Sequence, residues 1–311
     1  MAPKTLMIMV GVVLPLALLA LHAFLPHRSR AGLWLRALAL GMLFLFSMLS
    51  LVWLFPPWWT PYLYLALLGL ATVFRIWRGP RPSGGAGRWI EGIIGAVLLL
   101  ALSVMTWPGL TQRTPPEIAI DLSQPLGPGR YLVVSGGPSE ALNAHYLTLQ
   151  DDHPYRGQSF AVDIVGTDAF GLYAPGIAPA DPDAYAIFGK DILAPCAGTV
   201  AQAHDGMPDM QVPQMDRSRL EGNHVLIRCE GTDLFVLLAH MAQGSVSVAS
   251  GDTVAAGQLV GRVGNSGNSS TPHLHLHVQR GMPADAPLGG TPVFFTIEGK
   301  PPIRNQRFSV N

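Results

Sequence analysis

Long apolar runs dominate the first hundred residues of the chain. Four stretches of about twenty mostly apolar residues each cover 5–25, 33–55, 58–77 and 89–107 and contain almost no charge. A helix of that length crosses the roughly 30 Å hydrocarbon core of a bilayer. A secretory signal would be a single shorter run followed by a cleavage site, and a soluble bundle would carry more charge. The pattern therefore predicts a bundle of four transmembrane α-helices over residues 1–107.

The pattern changes after residue 107. Residues 108–130 are rich in Pro, Gln, Thr and Ser, which is typical of a semi-extended linker that lets a domain reach away from its anchor. From residue 131 onward, short apolar segments alternate with turns such as Gly251-Asp252 and Asn265-Ser266-Gly267-Asn268. Such punctuation is typical of strands joined by tight turns. We therefore expect a mainly antiparallel β domain over 131–311.

Three histidines stand at every second position of one apolar segment. His273, His275 and His277 alternate with Leu274, Leu276 and Val278, so in a β-strand they would share one face. Imidazole is the commonest protein ligand for zinc, whereas a solvated edge strand is the plain alternative for such a pair. The pattern indicates a metal or catalytic site.

The distribution of arginine orients the apolar helices. The first connection carries Arg28, Arg30 and Arg36, the third carries Arg75, Arg78, Arg81 and Arg88, and the second, over 56–61, has no charge. The positive-inside rule puts the two basic connections in the cytoplasm. We therefore expect a multi-pass protein of the cytoplasmic (inner) membrane, with the C-terminal domain in the periplasm or facing the cell wall.

Charge and cysteine content exclude some classes of function and leave one question open. The 20 basic and 20 acidic residues give no net charge and no dense basic patch, so nucleic acid is not an expected partner. Cys196 and Cys229 both fall in the β domain, where an oxidising compartment would permit a disulfide, and two buried thiols are the alternative. Without a Cys-x-x-Cys spacing, neither is an expected zinc ligand.

Several motifs in the same order resemble the lysostaphin/LytM-type zinc endopeptidases, which cleave peptidoglycan cross-bridges. They are the His-x-His pair 273–275, Leu238-Ala239-His240-Met241, the Ala194 to Val200 segment with its Ala-Pro-x-x-Gly-x-Val pattern, and Phe160-Ala161-Val162-Asp163-Ile164. The resemblance covers about residues 131–298. It implies that His275 and Asp163 are zinc ligands and that His240 and His273 are catalytic.

The family's first metal-binding histidine is missing from its usual place. Ser159 stands four residues before Asp163, where the family's His-x-x-x-Asp motif has the histidine. His145 and His153 are the two candidates for this ligand. We favour His145, because its Asn-x-His context resembles that of some relatives, while His153 stands in a turn beside Asp152 and Pro154. His277, where relatives often carry Glu, is assigned at most an indirect role in orienting the metal ligands.

The donor set suggests hydrolysis on chemical grounds as well. Two imidazoles and one carboxylate leave one position on Zn²⁺ open, and the ion lowers the pKa of water there to about 7. His240 and His273 beside the metal could orient the water, stabilise an oxyanion and protonate the leaving amine. No Gly-x-Ser-x-Gly motif of a serine hydrolase is present.

Three functions from different classes follow. The preferred function is a membrane-anchored zinc metalloendopeptidase that hydrolyses peptide cross-bridges of peptidoglycan. The alternative is a catalytically inactive relative that binds cell wall or activates a partner wall hydrolase. A lipoyl-type carrier domain, suggested by the rhythm of Val248 to Gln258, would need a lysine at a hairpin tip, and no lysine lies in the Gly264 to Gly267 turn. The expected partners are the lipid bilayer and a wall peptide, and the sequence indicates no particular protein partner.

Overall fold

The computed structural model describes residues 3–81, 85–115, 117–282 and 286–311. The chain divides into two compact units, Met1–Thr111 and Gln112–Asn311. The first unit is helical and the second is mainly β, which confirms the predicted order of a four-helix region and a β domain.

Four helical segments long and apolar enough to cross a membrane lie in the described part of the first unit: Lys4–Phe24, Arg30–Ser50, Thr60–Arg78 and Gly85–Thr111. The first consists of α1 (Pro3–Ile8), a π-helical turn (Met9–Val13) and α2 (Leu14–Phe24), and the others are α3, α4 and α5 in that order. Leu19, Phe44, Trp53, Tyr64 and Leu68 form a buried cluster between them.

Two helix ends differ from the sequence-based bounds. Helix α3 ends at Ser50 instead of continuing to residue 55, and the backbone is already extended at Leu51 (φ −91°, ψ 154°). Trp53 is buried there and donates a hydrogen bond from Nε1 to the Ser47 carbonyl (2.8 Å). Helix α5 continues through Pro108 to Thr111 instead of ending at residue 107.

The predicted linker over 108–130 is shorter in the structure. Its second half belongs to the β unit, where Ile120–Leu122 pairs with Phe295–Ile297 in parallel. Leu122 and Leu126 are buried in the domain core. The segment is polar on average, so its composition does not reveal that these two leucines pack in the core.

Thirteen strands are present among the described residues of the second unit. The bounds are β1 Ile120–Leu122, β2 Gly129–Ser135, β3 Val162–Gly166, β4 Asp191–Leu193, β5 Gly198–His204, β6 Asn223–Cys229, β7 Leu234–Met241, β8 Thr253–Val254, β9 Leu259–Arg262, β10 Leu274–Arg280, β11 Thr291–Pro292, β12 Phe295–Ile297 and β13 Arg307–Val310. Nine of these strands form one sheet with antiparallel pairing throughout, in the order β13-β2-β3-β10-β7-β6-β5-β8, with β11 paired to β10. Strands β4 and β9 pair separately.

Strand alternation separates the core from the functional face of the large sheet. Leu274, Leu276 and Val278 of β10 lie in the main hydrophobic cluster with residues of β3, β6 and β7. Successive side chains of a strand point to opposite faces, so His275 and His277 lie on the other face. His273 immediately precedes the strand instead of being part of it. The apolar half of the alternation thus fixes the register that presents the histidines.

Cys196 and Cys229 are joined in a disulfide, with their Cα atoms 5.7 Å apart and a sequence separation of 33. Closing a loop of this length contributes about 3 to 4 kcal/mol on the chain-entropy account. We expect the double substitution Cys196→Ala and Cys229→Ala to lower the unfolding temperature of the β domain, measured by calorimetry on the full chain in detergent. A reductant should produce the same shift in the natural chain and none in the variant. If neither the double variant nor the reduced natural chain unfolds at a lower temperature, the expectation is contradicted.

Candidate metal and catalytic site

Strand pairing brings the first two predicted metal ligands together. Asp163 of β3 lies directly opposite His275 of β10, and residues opposite each other in an antiparallel pair share a face. The Nδ1 atom of His275 lies 3.0 Å from Oδ1 of Asp163. The other ring nitrogen, Nε2, lies 3.2 Å from Nδ1 of His277. His275 is therefore held between a carboxylate and a second imidazole.

His145 completes this group from a distant part of the chain. It lies in a short 3₁₀ turn, Ala144–Thr148, and its Nε2 is 2.9 Å from Oδ2 of Asp163. The rings of His145 and His275 are 4.8 Å apart, so the two imidazoles flank one carboxylate. His153, the other candidate, lies in a turn where Nδ1 accepts a hydrogen bond from the Tyr155 amide, and it belongs to no metal-capable group among the described residues.

Ser159, which occupies the position of the missing histidine, supports the turn that carries His145. Its hydroxyl is 2.9 Å from the hydroxyl of Thr148, which in turn donates a hydrogen bond to the His145 carbonyl (2.8 Å). Ser159 is fully buried. Ser159 thus supports the turn from which His145 extends towards Asp163.

Asn143 fixes the approach of His145. Its Oδ1 accepts a hydrogen bond from the His145 amide (3.0 Å), and its Nδ2 donates to the carbonyls of Gly137 (3.2 Å) and Ala161 (3.1 Å). This side chain is fully buried. Asn143 caps the turn and ties it to the residues just before β3, which is why His145 faces Asp163.

The two predicted catalytic histidines lie beside this group. The rings of His240 and His273 are 4.8 Å apart, and the ring of His240 is 5.7 Å from that of His275. Nε2 of His273 lies 3.6 Å from Oδ1 of Asp163. His240 has a φ of 62°, a left-handed conformation that is uncommon for residues other than glycine and clusters at functional sites. All five predicted site residues therefore converge.

Backbone carbonyls set the tautomers of these two histidines. Nδ1 of His240 lies 2.9 Å from the Ser266 carbonyl, and Nδ1 of His273 lies 2.8 Å from the Thr271 carbonyl. A carbonyl can only accept, so each Nδ1 carries the proton. In the neutral rings, Nε2 of both histidines is then left as a proton acceptor. No sequence pattern indicates these two carbonyl partners.

Burial and charge shape the protonation of the cluster. Burial would raise the pKa of Asp163, but the charges of His145 and His273 outweigh it and hold that pKa well below its usual value. Burial lowers the pKa of His145, while the charge and hydrogen bond of Asp163 raise it, with a net increase. Burial is the main cause of a pKa well below the usual value for His240 and His277. These pKa shifts favour an ionised Asp163 carboxylate and neutral rings for His240 and His277.

Two groups of three side chains in the described chain could each hold a metal ion. One is His145, Asp163 and His275, and the other is His240, His273 and His275. In each group the candidate ligand atoms all lie within 4.8 Å of one another. Ligands arranged tetrahedrally at about 2.0 to 2.1 Å from zinc lie about 3.3 Å apart, close to the 2.9 and 3.0 Å contacts of Asp163. The first group, with one carboxylate and two imidazoles, fits a zinc ion.

The comparison with known families agrees with these motifs. Residues 183–287 match the family model of Peptidase family M23, a range that contains His240, His273 and His275 and begins after His145 and Asp163. The β unit therefore carries a peptidase family M23 domain. The resemblance inferred from the histidine motifs is confirmed.

Solved structures similar to this chain include three peptidases. A variant of the catalytic domain of the prophage-encoded M23 protein EnpA from Enterococcus faecalis is 31% identical, covers 35% of this chain and is covered over 76% of its own length, with a TM-score of 0.20. Lysostaphin from Staphylococcus simulans is 24% identical, with coverages of 36% and 42% and a TM-score of 0.20. A zinc-containing peptidase from Vibrio cholerae is 21% identical, with coverages of 30% and 25% and a TM-score of 0.24. The chain thus spans only a quarter of the Vibrio protein and less than half of lysostaphin. No curated protein sequence matches the chain.

Proposed function

We propose that this protein is a membrane-anchored zinc metalloendopeptidase that hydrolyses peptide cross-bridges of peptidoglycan. The observation that carries the proposal is the contact of His145 with Asp163 at 2.9 Å, beside the contact of His275 with the same carboxylate at 3.0 Å. His145 would thereby supply the imidazole that is absent at position 159, where the chain has a serine. Membership of the domain in peptidase family M23 supports the same class of reaction.

His145, Asp163 and His275 would hold the zinc ion through Nε2, a carboxylate oxygen and Nδ1. When bound, the ion would polarise the scissile carbonyl and lower the pKa of water in its open position. With Nδ1 of His275 on the ion, its Nε2–H would donate a hydrogen bond to Nδ1 of His277, which lies 3.2 Å away. A hydrogen bond of this kind fixes the ring of a ligand and its tautomer.

His240 and His273 would transfer protons at Nε2. Their Nδ1 protons are engaged by the carbonyls of Ser266 and Thr271, so Nε2 of each ring is directed away from the backbone. One Nε2 can take the proton of the attacking water, and a protonated Nε2 can deliver one to the leaving amine. Burial holds the pKa of His240 well below its usual value, which keeps the ring neutral and its Nε2 unprotonated before the reaction.

The same geometry argues against the inactive alternative. A silent relative is suggested by the absence of a histidine four residues before Asp163, and His145, with Nε2 2.9 Å from Oδ2 of Asp163, would take that role. The side chains of His145 and His273 keep 20% and 14% of their surface exposed, so a ligand can reach the cluster from solvent. A protein that only binds cell wall would not need this set of donors.

A cavity of about 360 Å³ on the histidine-bearing side of the sheet could receive part of a peptide. Its wall includes Tyr155, Arg219, Glu221 and Leu288. Leu288 packs with Leu226, Leu237 and Ala239, and Ala239 lies directly opposite His275 in the sheet. The Glu221 carbonyl accepts the amide hydrogen of His240 at 3.0 Å, so the cavity adjoins the candidate catalytic residues.

The proposed activity is tested on the full chain purified in detergent and mixed with purified sacculi. We expect release of peptides with new free amines, loss of this release with a chelator and recovery with added zinc. Asp163→Ala is the matched inactive control. A folded, zinc-loaded chain that releases no more than Asp163→Ala would favour the silent relative instead.

The proposed location is the cytoplasmic membrane, with the β domain in the periplasm or facing the wall. The four helices with membrane-spanning length support anchoring. Seven arginines in and beside the connections after the first and third spans, against none in the second connection, support cytoplasmic placement of those two. The disulfide between Cys196 and Cys229 suits an oxidising compartment.

This orientation predicts the behaviour of reporter fusions. Alkaline phosphatase fused after Asn311 should be active, because the enzyme needs an oxidising compartment, and a fusion at Gly85 should be inactive. A cytoplasmic reporter should give the opposite pattern. An inactive phosphatase after Asn311, together with an active cytoplasmic reporter there, would overturn the orientation and the case for a wall substrate.

A further inference from the structure

Arg304 is a buried cation in the C-terminal segment, far from the metal ligands in sequence. Only 7% of the residue is exposed. Its Nε donates a hydrogen bond to the Val134 carbonyl (3.1 Å), and its NH1 group donates to the Ala141 carbonyl (3.2 Å). A guanidinium is a rigid planar donor, so it holds two carbonyls in a fixed relation.

These two carbonyls lie at the two ends of one loop. Val134 belongs to β2, and the chain then turns through residues 136–141 before it reaches Asn143. The backbone amide of Arg304 also donates to the Gly136 carbonyl (3.0 Å), and the Gly136 amide donates to the Leu142 carbonyl (3.1 Å). One residue therefore closes the loop with side chain and backbone together.

The loop leads directly into the candidate metal ligand. Ala141 is followed by Leu142, which is fully buried, and by Asn143, whose Oδ1 accepts the His145 amide hydrogen. A shift of the loop would move Asn143 and with it the turn that carries His145. Burial lowers the pKa of the Arg304 guanidinium, and the negative charge of Asp163 partly offsets that shift.

We propose that Arg304 is the positioning residue for His145 and thereby sets the metal affinity of the centre. This inference rests on the proposed function, because it requires His145 to be a zinc ligand. It explains how an imidazole delivered 18 residues before Asp163 can replace one delivered four residues before it. The metal centre then depends on a segment beyond the 183–287 family match.

The test compares three variants of the full chain in detergent. Arg304→Met removes the planar guanidinium and its charge. Arg304→Lys keeps the charge but offers a single ammonium group that cannot span both carbonyls. Phe308→Ala is the matched control, because Phe308 lies in the same C-terminal segment but pairs with Tyr131 across β13 and β2, with ring centroids 5.3 Å apart. Zinc dissociation constants are measured by competition with a chelating indicator.

We expect Arg304→Met to weaken zinc binding about 10- to 100-fold, the range seen for residues that orient metal ligands, and Arg304→Lys to fall closer to Met than to the natural chain. Phe308→Ala should lower thermal stability and leave the zinc dissociation constant within about twofold of the natural value. Hydrogen exchange of amides 136–145 in the zinc-free protein should accelerate in both Arg304 variants and not in Phe308→Ala.

The outcomes separate this inference from the proposed function. Equal zinc affinity in the natural chain and a folded Arg304 variant would overturn the inference alone, as would an equal loss in Phe308→Ala. A natural chain that binds no zinc would overturn both. If Arg304→Met does not fold, the zinc dissociation constant and the amide hydrogen exchange of Arg304→Lys are judged by the same criteria.

Discussion

Replacing His145 by alanine is expected to abolish stoichiometric zinc binding. The change removes one of two imidazoles beside Asp163 and leaves the carboxylate with His275 as the remaining ligand of the proposed set. Loss of a direct ligand from a three-ligand site lowers affinity far more than loss of an orienting residue. The measurement is zinc per chain by mass spectrometry after dialysis against a weak chelator.

His153→Ala is the matched control for this prediction. It removes an imidazole from the same part of the chain, where the ring contacts Tyr155 and lies outside both metal-capable groups of the described residues. Zinc content should remain at one ion per chain. The reverse pattern would show that His153 is the ligand, and normal zinc in both variants would show that the ligand set is wrong.

The second large effect is expected from the histidines beside the ligands. His240→Ala and His273→Ala should retain zinc and lose about a hundredfold or more in the rate of cross-bridge cleavage, the usual scale for removing an acid, a base or an oxyanion donor. The rate is measured at saturating zinc on the same sacculi, so that metal loss does not contribute.

His204→Ala provides a comparison for this pair. His204 is a partly exposed imidazole of β5 stacked on His224, and it belongs to neither metal-capable group. The His204→Ala variant should cleave cross-bridges at a rate near that of the natural chain. Loss of zinc from His240→Ala or His273→Ala would identify that residue as a ligand, in line with the overlapping group that it forms with His275. Unchanged rates would support the inactive relative.

Much of the fold could be predicted because its signals are local. The apolar runs have membrane-spanning length, and the alternation around His275 predicts both a strand and the face that carries the histidine. The helix end at Ser50 could not be predicted from hydropathy, because the apolar run continues past it. Trp53 belongs to that run, yet it lies outside the helix and is buried. Likewise, Leu122 and Leu126 are isolated in a polar segment, and only the tertiary core reveals their role.

The candidate site was predictable where a motif places a side chain and not where a remote segment supports it. His240, His273 and His275 stand in short patterns, and Asp163 matches the carboxylate that ends the family's His-x-x-x-Asp motif. Asn143 had a weak signal as the neighbour of His145. Arg304 had none, because a guanidinium that bridges two carbonyls has no sequence spacing that indicates it.

The central claim is that one zinc ion is held by His145, Asp163 and His275. The most direct measurement is a crystal structure of the zinc-loaded protein with anomalous difference density recorded at the zinc absorption edge. The account predicts one peak about 2.0 to 2.2 Å from Nε2 of His145, a carboxylate oxygen of Asp163 and Nδ1 of His275. A peak between His240, His273 and His275, or no peak near Asp163, would contradict it.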